Sequence, residues 1–125
     1  MPRAILLLSA LVFAAIGFSF TFFTVRMAQV VEIQLATDVA RTDFAATYGG
    51  FALGFAVFLA MCTTQKADGL RGGLTASGCA LAGFASVRLT GIVMSAELSP
   101  LMLSVLCTEA AGSALSFWAA ARVPR

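Results

Sequence analysis

The sequence predicts an all-α integral membrane protein, a bundle of four transmembrane helices with both termini cytoplasmic. Three observations carry that prediction. The chain has 125 residues, of which 60% are hydrophobic and 11% charged, and its mean hydropathy is +0.95; soluble domains carry roughly 25% charged residues. Four apolar runs, at about residues 4–25, 44–62, 73–95 and 100–121, reach the roughly 20 residues a helix needs to cross the hydrocarbon core. In lipid every backbone amide must bond internally, and these charge-poor runs lack the alternation of a barrel strand. The length is that of one domain, 1–125, and no internal repeat or low-complexity segment interrupts it.

The elements follow in order. Met1-Pro2-Arg3 precedes an apolar stretch without a charge as far as Val25, longer than the roughly 7–15 residues of a signal-peptide core, so it is expected to stay as a span. The connection 26–42 carries Arg26, Glu32, Asp38 and Arg41. Its Val31-Glu32-Ile33-Gln34-Leu35 alternates, which suits a short extended or interfacial piece. Asp38 is the expected N-cap of the second span, which gains a turn from Val39. The polar connection 63–72 contains Lys66, Asp68, Gly69 and Arg71, and its glycines, with Gly73, read as a turn and a helix start. A tight hairpin at 96–99 leads to Pro100, which fits a first helical turn. Basic residues set the orientation. An inside N-terminus puts Arg3, Lys66, Arg71, Arg122 and Arg125 in the cytoplasm, and leaves Arg26 and Arg41 outside beside Glu32, Asp38, Asp43 and Glu97.

Helical spacing assigns faces. On the second span, Phe44, Tyr48, Phe51, Phe55 and Phe58 form a lipid-facing or core stripe. Gly50 and Gly54 form a GxxxG on another side, expected to pack on a helix of the same chain rather than on a second copy. The third span has small-residue rows at Gly72, Ala76 and Ala80 and at Gly78, Ala82 and Ser86. The fourth presents Met102, Val105, Glu109, Ser113, Ser116 and Ala120 on one side, with Trp118 near its cytoplasmic end.

Two charges stand inside apolar runs, Arg88 in the third and Glu109 in the fourth. An intramembrane charge costs at least a few kcal/mol and is kept when paired, wetted or functional. Arg88 lies seven residues before Ser95 and Glu109 nine after Pro100, so an antiparallel hairpin brings both to similar depth in the outer half. Arg41, Asp43, Thr47 and Tyr48, at the outer end of the second span, complete a candidate polar cluster. It reads structurally as a register-fixing ion pair or a snorkelling Arg88. Functionally it reads as an anion or headgroup site at Arg88, or a proton-accepting Glu109.

Other chemistries find little support. No histidine is present, which removes Ser-His and Cys-His catalysis and the commonest metal ligand, leaving Ser-Lys and Ser-Glu variants open. Cys62, Cys79 and Cys107 lack CxxC spacing and read as packing residues. Neither a P-loop nor a dinucleotide fingerprint occurs. A net charge of +2 is too small and dispersed for a nucleic-acid surface. No metal or cofactor is expected.

The segment Asp43-Phe44-Ala45-Ala46-Thr47-Tyr48-Gly49-Gly50 resembles the signature of the domain-of-unknown-function 4345 family, small bacterial four-helix membrane proteins. The resemblance covers nearly the whole chain and extends to an Arg late in the third span and a Glu in the fourth. It marks Asp43, Tyr48, Gly49, Gly50, Arg88 and Glu109 as matching positions, and adds Gly49 to Gly50 and Gly54 as candidate packing positions. The family often has an Arg before Ala-Thr-Tyr; here Ala45 stands there, with Arg41 one helical turn earlier. The resemblance implies a bacterial inner-membrane protein and no known activity. The expected function is that of a non-enzymatic accessory or interaction subunit. The alternatives are a binder or transporter of a small amphiphile, lipid or anion through Arg88 and Glu109, and an enzyme acting on a lipid or quinone with Glu109 or Asp43 as base. Expected partners are membrane lipids, with another membrane protein or a homo-oligomer.

Overall fold

The computed structural model describes residues 1–95 and 99–124. The hairpin expected at 96–99 falls largely outside the described residues, as do Glu97 and Arg125 of the orientation argument. Among the described residues there is no strand. Four helices are long and apolar enough to cross a membrane: Pro2–Phe22, Asp38–Thr63, Ala67–Ser95 and Pro100–Ala121. In finer detail the elements are α1 (Pro2–Phe22), α2 (Thr24–Val30), α3 (Asp38–Phe44), a π-helical turn (Ala45–Gly50), α4 (Phe51–Thr63), α5 (Ala67–Ser95) and α6 (Pro100–Ala121). They group into two compact units, Leu7–Met61 and Met1–Leu6 with Cys62–Arg125.

In the unit Leu7–Met61, α1 stops at Phe22 because Phe23 leaves helical geometry, with φ −120° and ψ 38°. The Thr24 hydroxyl sits within hydrogen-bonding distance of the Phe20 and Thr21 carbonyls, at 2.9 and 3.0 Å, and covers backbone that the break frees. The helix α2 then occupies the first part of the connection. It ends in a Schellman arrangement in which Ile33 N–H donates to the Ala28 carbonyl at 2.8 Å and Glu32 N–H to that of Gln29 at 3.1 Å. Glu32 holds the left-handed position usually given to glycine, with φ 60°. The alternating segment 31–35 is therefore partly this helix exit, and it forms no strand.

The cap of α3 is Thr37, whose hydroxyl accepts from Ala40 N–H at 3.1 Å. Asp38, expected as the cap, is instead the first helical residue, where its charge complements the helix dipole. The backbone then widens into the π turn, after which Phe51 N–H donates to the Ala46 carbonyl. Here the chain comes very close to α1. A Cβ on Gly49 would lie 2.8 Å from the Thr21 amide nitrogen and collide with the Thr21 hydroxyl; one on Gly17 would lie 2.7 Å from the Leu53 amide nitrogen and 2.9 Å from the Gly49 carbonyl. Only glycine permits this backbone-to-backbone approach. Gly50 and Gly54, expected at the helix contact, instead face open space. The contact runs through Gly17 and Gly49 because the π turn changes which residues share a face.

In the other unit α5 and α6 lie antiparallel. The Ser113 hydroxyl donates to the Gly78 carbonyl at 2.9 Å, Ser116 and Ser77 meet at 3.5 Å, and Gly78 lies under the Phe117 ring. Leu70, Gly73, Leu74, Ser77 and Gly78 are buried on α5, and Glu109, Ser113, Ser116, Ala119 and Ala120 on α6. The polar side of the last span is thus its buried side. On α5 the buried stripe differs from the expected rows: Gly78 belongs to it, whereas Gly72 is open. Gly69, Gly72 and Gly73 are helical rather than a turn, since α5 begins at Ala67. Gly73 is required there by close packing, its place for a Cβ being 2.6 Å from Cys62 Cβ. Ser99 caps α6 by accepting from Met102 N–H at 3.1 Å, with Pro100 at the helix start.

Candidate functional site

The last turns of α5 carry Arg88 towards α6, and the buried stripe of α6 carries Glu109 towards α5. The guanidinium grips the carboxylate with two parallel bonds: Nε donates to Oε2 at 3.0 Å and Nη2 to Oε1 at 2.8 Å. This fork-to-fork geometry is the strongest form of a charge-assisted hydrogen bond. The Arg88 side chain keeps 28% of its surface exposed and that of Glu109 11%. The remaining nitrogen, Nη1, approaches Met102 Sδ at 3.5 Å. Met102 was assigned to the same face of the last span by spacing, but a sulfur partner for Arg88 was not legible.

Each carboxylate oxygen accepts one bond from Arg88, so protonation of Glu109 weakens its grip on the guanidinium. An anion that takes the two N–H groups now bonded to Glu109 must displace the carboxylate, while Nη1 has only a sulfur contact. Serine hydroxyls beneath the pair bond within α5 and α6, as Ser113 does with Gly78.

The remaining cluster candidates belong to the unit Leu7–Met61, and each has its own surroundings there. Arg41 pairs with Asp38 at 3.1 Å, with both side chains largely exposed. Asp43 and Thr47 are exposed. Tyr48 is half-exposed and joins an aromatic group with Phe44, ring centroids 4.6 Å apart, and Phe20, at 5.8 Å. Phe20 was missed by sequence reasoning, as was Gly17, although Gly17 and Thr21 form a small-residue pair at four-residue spacing. Nearly all of the signature, Ala45 to Gly50, is the π turn itself. Such turns are rare and concentrate at functional sites.

The three cysteines are free thiols. Among the described residues no three His, Cys, Asp or Glu side chains group together to hold a metal ion.

Fold and site together define an all-helical protein with four membrane-length helices and a bidentate Arg–Glu pair joining the last two. The chain belongs to the family of the domain of unknown function DUF4345, whose model matches residues 1–120. No curated protein and no solved structure matches it.

Proposed function

We propose that the protein is a non-enzymatic accessory or interaction subunit, a four-span bundle in the bacterial inner membrane with both termini cytoplasmic. The observation that carries this reading is the bidentate closure of Arg88 on Glu109. A bidentate ion pair between two neighbouring helices, with its carboxylate largely enclosed, holds those helices in register. The two described clefts lie elsewhere, at the end of the same unit where α5 begins and α6 ends. The charge distribution supports the orientation: Arg3, Lys66, Arg71 and Arg122 flank the ends assigned to the cytoplasm.

Native mass spectrometry after extraction in mild detergent tests the role. A second protein in fixed stoichiometry is expected; a chain that retains no second protein, whether or not it carries lipid, would overturn the subunit reading. The orientation is read with a membrane-impermeant maleimide on intact cells, which should label Glu32→Cys and spare Lys66→Cys. The reverse pattern inverts the topology.

A further inference from the structure

Where α1 and α5 begin and α6 ends, a cleft of about 340 Å³ opens among Pro2, Arg3, Ala67, Leu70, Arg122 and Val123. All of these residues belong to one unit. The floor is apolar, since Leu70 and Val123 are each almost wholly buried. The walls carry two guanidiniums. Neither Arg3 nor Arg122 pairs with a carboxylate among the described residues. Each is nonetheless held: Arg3 Nη2 donates to the Gln65 carbonyl at 3.4 Å, and the Arg122 guanidinium lies 4.7 Å over the Trp118 ring. Neither contact neutralises its cation. Lys66 and Arg71 stand at the same helix ends, and the neighbouring acid, Asp68, is exposed and 3.8 Å from Arg71.

From this arrangement we infer that the cleft is a binding site for a phosphate-bearing amphiphile, the headgroup of an anionic phospholipid. The two guanidiniums supply planar donor forks suited to phosphate oxygens, and the apolar floor receives the glycerol and the first acyl carbons. The amino ends of two long helices open onto the same space and add positive potential. Depth agrees with a headgroup. A helix of 29 residues such as α5 rises about 43 Å, beyond the roughly 30 Å of the hydrocarbon core, so its first turn emerges from the core. The tryptophan beside Arg122 marks the same interfacial level. Basic pockets between spans at that level are general sites for anionic headgroups. The site is separate from the Arg88–Glu109 pair, and its test does not bear on the subunit reading.

The test titrates the full chain in detergent with phosphatidylglycerol, phosphatidylcholine or glycerol phosphate, read by native mass spectrometry. Wild type should retain phosphatidylglycerol at least about tenfold more tightly than phosphatidylcholine. The double variant Arg3→Gln/Arg122→Gln should lose about thirtyfold in affinity for phosphatidylglycerol, two surface cations being removed. Arg26→Gln/Arg41→Gln, with the same loss of charge elsewhere, should bind as wild type. Should the glutamine variant not fold, the wild-type preference and the charge-retaining Arg3→Lys/Arg122→Lys variant still decide. Equal retention of the two lipids, or equal loss in the Arg26/Arg41 control, overturns the site. Competition by millimolar glycerol phosphate assigns the site to soluble phosphate esters and overturns the lipid assignment.

Discussion

Removing Arg88 alone from the Arg88–Glu109 pair should cost far more than removing both charges together. Both bonds are short, 2.8 and 3.0 Å, and the carboxylate side chain is the more enclosed, 11% exposed against 28% for Arg88. Removing one partner of a buried pair costs about 3–5 kcal/mol, because a charge is left unpaired in a poor solvent. The two single variants are unequal. Glu109→Gln leaves a guanidinium on a long stem that re-aims towards the interface, and the Gln carbonyl still accepts one bond, so about 2 kcal/mol is expected. Arg88→Met strands an enclosed carboxylate, and about 4 kcal/mol is expected. In Arg88→Met/Glu109→Gln no charge remains and the volumes are close, so the loss should be about 1–2 kcal/mol, the cost of one poorly paired amide. The coupling between the sites is then about 4–5 kcal/mol, the difference between the summed single losses and the double loss. Unfolding in mixed micelles of mild detergent and dodecyl sulfate, followed by helical circular dichroism and Trp118 fluorescence, measures all four proteins. A double variant that loses the sum of the single losses would refute the reasoning.

Three further outcomes follow from packing in the unit Leu7–Met61. Gly49→Ala and Gly17→Ala should each lose about 1–3 kcal/mol through overpacking against backbone, whereas Gly50→Ala and Gly54→Ala, which meet nothing within 4 Å, should gain a few tenths from helix propensity; the same micelle titration separates them. Glu32→Gly should stabilise by about 1 kcal/mol, since φ 60° is strained for a residue with a Cβ, and a fall in stability would remove the Schellman account. The buried Thr21 hydroxyl oxygen has no hydrogen-bond partner among the described residues, so Thr21→Val, of similar shape, should be neutral or stabilising by up to about 1 kcal/mol; clear destabilisation would mean that the hydroxyl is engaged.

Membrane-length helices were legible because length and apolarity are additive along the chain: the four runs correspond to Pro2–Phe22, Asp38–Thr63, Ala67–Ser95 and Pro100–Ala121. The pairing of Arg88 with Glu109 was legible because depth follows from counting residues back from a short connection. What escaped the sequence depends on one-residue choices. Thr37 and Asp38 are adjacent residues with equal capping chemistry, and only the backbone decides between them. Gly69, Gly72 and Gly73 look like a turn, yet a glycine is also what a helix needs where Cys62 presses against it. The widened turn at Ala45–Gly50 leaves no mark in composition; of the three candidate packing glycines it leaves Gly49 at the helix contact and turns Gly50 and Gly54 away from it.

That turn explains why the signature has its order of residues. In an α-helix the side chain nearest above Phe44 is four residues on, which is Tyr48; in a π turn it is five on, which is Gly49. Widening therefore swings the tyrosine aside to half-exposure, against Phe44 and Phe20, and lays a glycine on α1. Phe44, Gly49, Ala52, Ala56 and Leu59 then form one buried face. A single deletion tests this account. Removing Ala46, which is exposed, converts the π turn to α geometry and places Gly49 four residues after Phe44, so the same face survives. Removing Val57, also exposed, rotates all that follows by about 100° and takes Leu59 off the buried face, a loss of about 2–5 kcal/mol by comparison with truncation of a buried leucine. The Ala46 deletion should stay within about 1 kcal/mol of wild type in the micelle titration, while the Val57 deletion falls well below it. Equal damage from the two deletions would mean that the π turn is not an inserted residue, and that the tyrosine and glycine owe their places to something other than helix register.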